Sequence, residues 1–87
     1  MSIMAVFANS PFDTEVRIDC KMLKLRTKED GDICILPDFN NTIFDIEDAI
    51  VCLESDTESR KIKIIGTGIA KFEDNKFMCF GKFEDVN

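Results

Sequence analysis

The chain has 87 residues, enough for one domain with a modest core, and its 45% apolar content suits a globular protein rather than a disordered one. Its net charge of −6, from 17 acidic and 11 basic residues, disfavours nucleic acid and anionic lipid as direct partners. No run approaches the length of a membrane span, and residues 1–8 lack the basic region of a signal or transit peptide.

Short strands separated by turn signals follow in order. Residues 3–8 are an apolar run stopped by Asn9, Ser10 and Pro11. Residues 14–18 alternate, with Val16 and Ile18 on one face and Glu15 and Arg17 on the other. Over 21–27, Leu23 and Leu25 share a face, with Met22, Lys24 and Arg26 opposite. Lys28, Glu29 and Asp30 form a solvated turn into Gly31, which can adopt backbone angles that other residues avoid. Residues 33–36 read as a short buried strand, ended by Pro37, which has no N–H for a ladder. Residues 38–41 are a loop by composition, and 42–46 a short strand.

Ile43, Ile46, Ile50 and Leu53 fall at near-helical spacing, but Val51, Cys52 and Leu53 in succession suit a strand over 49–54 better. The polar stretch 55–59 then closes a hairpin onto 60–65, where Ile62 and Ile64 alternate with lysines. Gly66, Thr67 and Gly68 break the chain in a tight turn. Residues 69–73 and 76–80 flank Asp74 and Asn75 as a second hairpin, and 82–87 look like a fraying end. Eight to ten short strands in so short a chain predict a single all-β domain over 1–87, an antiparallel β-sandwich.

Chemistry is sparse. There is no histidine, hence no general base, metal ligand or nucleophile partner of the usual kind. Cys20, Cys34, Cys52 and Cys79 are widely spaced, without a C-x-x-C pair, and read as reduced thiols buried as small hydrophobes. The 66–68 triplet lacks the further glycine and following helix of a phosphate loop. Asp30 and Asp32 lack the other ligands of a calcium loop, and Glu54, Asp56 and Glu58 belong to a hairpin tip. No catalytic residue, metal or cofactor is expected. Phe39 is out of place in its polar loop: either it folds back over the core edge, or it anchors a partner.

Four blocks resemble, in order, the epsilon subunit of F-type ATP synthase, called delta in mitochondria. They are Ser10-Pro11 after the first strand, the stretch from Asp30 to Pro37, the stretch from Ile65 to Phe72, and the last hairpin around Asp74-Asn75. The loop and strand of residues 40–53 also follow the family's order. The family's Gly-His pair after the proline is Asp38-Phe39 here. The resemblance covers the family's N-terminal sandwich and leaves out its C-terminal helical hairpin. It implies a non-catalytic rotor part of the central stalk, peripheral on the cytoplasmic face of a bacterial inner membrane. Such a part binds the gamma subunit along one flank and the ring of proton-carrying c subunits at its base. By the same resemblance, Asp30, Gly31, Asp32, Asp38, Phe39 and Asn40 belong to the partner interface, with Asp32 facing the polar loops of the ring and Phe39 near gamma. The alternative is a stand-alone sandwich that binds other proteins without a role in ATP synthase.

Overall fold

A computed structural model describes residues 1–28 and 31–86. The strands are β1 (Ile3–Ala8), β2 (Val16–Cys20), β3 (Met22–Thr27), β4 (Gly31–Ile35), β5 (Thr42–Glu47), β6 (Ile50–Glu54), β7 (Ser59–Glu73) and β8 (Lys76–Asp85), with no helix among the described residues. Every pairing is antiparallel except β1 with β8, which makes the sheet mixed. The hydrogen-bonded path runs β2-β1-β8-β7-β6-β3-β4, with β5 also on β7.

Strands β7 and β8 belong to two half-sheets. The second part of β7 pairs with β5, and its first part with β6. The first part of β8 pairs with β1. One half-sheet is therefore β2-β1-β8-β7-β5, and the other β4-β3-β6-β7-β8. A flat sheet is about 10 Å thick, whereas the molecule measures 30 × 28 × 25 Å, so the halves lie over one another. Phe7 of the first half meets Phe83 of the second with ring centroids 5.9 Å apart. Ile3, Ala5, Phe72 and Phe77 from the first half and Leu23, Leu25, Val51 and Ile64 from the second share one buried cluster.

The fold-over occurs inside β7, at the triplet where the sequence points to a turn. Between the pairs Ile65–Lys82 and Ile69–Phe80, β7 has three residues (66–68) and β8 has one, Gly81. The surplus is a bulge that bends both strands without interrupting them. Gly68 sits where the strands touch: a Cβ there would lie 2.8 Å from the Phe80 carbonyl oxygen. The bend is fastened from outside by Asp48. Its N–H donates to the Gly66 carbonyl (2.9 Å), and its Oδ1 accepts from the Gly66 N–H (2.8 Å).

Two further expectations change. Residues 82–85, expected to fray, continue β8, and the Val86 N–H donates to the Lys61 carbonyl at 3.0 Å. The strand read as buried over 33–36 is the edge strand β4; Ile35 is buried, but Leu36 is 53% exposed. An edge strand covered on one face buries only its inward side chains. The Asp74-Asn75 hairpin is as expected, with φ of 51° and 59° at the two turn residues.

Candidate interaction surfaces

The sequence-predicted interface residues fall into two groups. Gly31 (φ 69°) and Asp32 open β4, and Asp38, Phe39 and Asn40 follow its far end; Asp30 lies outside the described residues. Three residues of β4 (33–35), Leu36 and Pro37 separate the groups, about 16 Å of extended chain. Asp32 is exposed and shares its carboxylate with Arg26 on β3, at 3.7 Å. Asp38, at φ 68°, receives a hydrogen bond on its side chain from Asn75 Nδ2 (3.2 Å), while its N–H donates to Asn75 Oδ1 (2.6 Å). This reciprocal pair ties the β4–β5 loop to the β7–β8 turn. Asn40 is exposed, and its carbonyl accepts from the Thr42 hydroxyl at 2.9 Å. Phe39 takes the first of its two readings: it is half-buried and meets the Phe72 ring edge-on at 5.9 Å.

The register reveals a surface that sequence reasoning missed. Side chains alternate across a strand, so those between core residues point outward. On the first half-sheet the outward positions are Arg17 and Asp19 on β2, Met4, Val6 and Ala8 on β1 (the last two nonetheless buried), Lys76, Met78 and Phe80 on β8, Ile69 and Lys71 on β7, and Ile43, Asp45 and Glu47 on β5. The apolar ones run together across β1, β8 and β7 to Ile43 on β5, and Ile43 and Ile69 are 65% and 44% exposed. Phe12, in the β1–β2 loop at the end of this face, is 97% exposed. The signal was present in the sequence: residues 3–8 and 77–80 are apolar at every position, which marks strands with apolar surroundings on both faces. The second half-sheet differs. Its outward positions carry Lys24, Arg26, Lys61 and Lys63, with Asp32, Glu54, Lys82 and Glu84 around them, and half-buried Met22, Ile50 and Ile65 between these charges.

The thiols divide in the same way. Cys20 and Cys79 point into the core, and burial pushes their pKa values up to about 11 and about 12, so neither is a ready nucleophile. Cys34 is exposed and Cys52 half-buried on the charged outer face, which corrects the expectation that all four are buried. Among the described residues, no three metal-capable side chains gather to hold an ion.

No protein-family model and no curated protein sequence matches this chain. Among solved structures, it is similar to a chain in the cryo-EM structure of Euglena gracilis mitochondrial ATP synthase, OSCP/F1/c-ring in rotational state 1. The TM-score is 0.78 at 15% identity, over 97% of this chain and 53% of that one. The chain thus spans about half the length of its structural neighbour. At this identity the likeness establishes a shared fold: an all-β body of the kind found in one chain of that assembly.

Proposed function

We propose that the chain is a non-catalytic subunit of an F-type ATP synthase, a sandwich of the central stalk that transmits torque between proton flow and ATP synthesis. It grips the gamma subunit along one flank and the c-subunit ring at its base. The observation that carries this reading is the apolar outer face of the first half-sheet. Sandwich faces turned to water ordinarily alternate to polar residues, and the open part of this face, exposed Ile69 and Ile43 beside half-buried Met78 and Phe80, is what a protein partner covers, Val6 and Ala8 being already buried within the chain. The fold likeness supports the same role. The two separated groups of interface residues suit a part held by two neighbours: Gly31 and Asp32 toward the ring, and Asp38, Asn40 and the side of Phe39 left open by its packing on the core toward gamma. Each exposed ion pair adds only about 0–1 kcal/mol, so the contacts must be many.

An affinity-tagged chain, expressed in the cells it comes from, is expected to bring down gamma and the c subunits. Recovery of no ATP synthase chain overturns the proposal. The stand-alone interaction module is favoured by one observation, that Asp32 already has Arg26 as its partner. Unchanged proton-driven ATP synthesis after Asp32→Lys selects that second reading.

A further inference from the structure

We infer that the corner of the first half-sheet beside Phe12 receives a cationic amphipathic helix of a partner protein. The inference rests on the binding role proposed above and names the chemistry of the partner. Three observations meet at this corner. A shallow groove of about 390 Å³ lies between the β1–β2 loop and the bulge, lined by Pro11, Thr67, Ile69 and Phe80 among others. Phe12 follows Pro11 and is displayed by a fixed turn: its N–H donates to Ser10 Oγ at 3.3 Å, and the Asp13 N–H donates to the Ser10 carbonyl at 3.2 Å. A fully exposed phenylalanine held in place beside an apolar groove is an anchor without its pocket.

The third observation is charge. Asp45 stands opposite Ile69 on the outward face, Glu47 opposite Thr67, and Asp13 follows Phe12. None of the three has an ion-pair partner among the described residues, whereas the nearby cations Lys71 and Lys28 are engaged by Glu73 (3.5 Å) and Asp48 (3.5 Å). An apolar stripe flanked by unpaired carboxylates is complementary to apolar side chains flanked by lysine or arginine. The stripe crosses from β8 to β5 over the face of the sheet. A strand added at the free edge of β5 would leave Phe80 and Phe12 uncovered. A helix lays a stripe of apolar residues on such a face with its cations at either side.

The test uses the whole chain and a helical peptide with leucines along one side and lysines on its flanks, followed by fluorescence anisotropy and amide chemical shifts. Binding is expected to move the amides of Phe12, Asp45, Glu47, Ile69 and Phe80. It should weaken about tenfold in Phe12→Ser and in the Asp45→Lys, Glu47→Lys double variant. Reversal of the distant Asp19 or Glu84 should leave it unchanged. All these side chains are exposed, and far-ultraviolet ellipticity verifies that each variant folds. Equal weakening by the distant reversals overturns the inference, as does equal binding of the peptide with glutamate in place of lysine. It is also overturned if sedimentation shows a dimer of this chain that Phe12→Ser dissolves. Peptide binding without capture of ATP synthase chains retires the stalk role and keeps the groove. Capture that Phe12→Ser leaves intact does the reverse.

Discussion

On the first half-sheet the outward row across β1, β8 and β7 reads Ala8, Phe80, Ile69; on the second, the row across β3, β6 and β7 reads Lys24, Cys52, Lys61. Both halves close on the same core, and β7 and β8 run through both. The contrast therefore does not come from the demands of folding, which fix only the inward side chains. An outward face is free to be polar, and the second half-sheet sets lysine, arginine and carboxylates between its outward Met22, Ile50 and Ile65, all three half-buried. That the first sets no charge along Ala8, Phe80 and Ile69 points to a surface kept for contact. The difference separates what holds the sandwich together from what the sandwich holds.

Substitutions can break that separation at graded depths. Phe7 joins the halves, with rings of Phe77 and Phe83 at 6.3 and 5.9 Å. Phe7→Ala should cost about 3–5 kcal/mol of stability in a urea titration, and both half-sheets should melt together. A two-step transition would show that they are separate units. Gly68→Ala acts at the bend, where the added methyl meets Phe80 backbone rather than a side chain that can move. A loss of about 1–3 kcal/mol is expected there, read as a lowered urea midpoint with an unchanged slope. The smallest effect belongs to Asp48. The Gly66 N–H, first, and the charge of Lys28 hold its carboxyl below the ordinary 3.8, against desolvation by burial, which raises it. The lowered value makes the ionised form a stabilising one, present above pH 3.8 and lost as pH falls through the folded-state value. Asp48→Asn should therefore be less stable than the parent at neutral pH, with the gap closing in acid. A gap that widens on acidification reverses the assigned sign.

Much of the fold was legible because burial writes a two-residue period into the sequence. Leu23 and Leu25, Val51 and Leu53, and Ile62 and Ile64 are inward as their alternation predicts. The bulge was not legible, since Gly66 and Gly68 serve a turn and a bend equally well; only the pairing of β8 through both halves distinguishes them. The end of β8 alternates across Lys82, Phe83 and Glu84, but it is too short to be told from a polar tail without Phe7 to receive Phe83. For the site, Phe39 and Phe12 give the same signal, an aromatic in a polar loop. They differ in the fold, because the β4–β5 loop lies over Phe72 and the β1–β2 loop displays its ring to solvent. Local sequence shows that such a ring is unusual, and long-range packing decides what it does.

The central claim, that the apolar face meets gamma while the charged face, away from its Gly31–Asp32 edge, meets water, is tested most directly by photo-cross-linking in the native cells. A benzophenone side chain placed at Ile69 or Phe12 is compared with one at Lys24 or Lys61. The account predicts cross-links to ATP synthase chains, gamma foremost, from the first pair of positions and none from the second. Cross-links from Lys24 and Lys61 alone would contradict it.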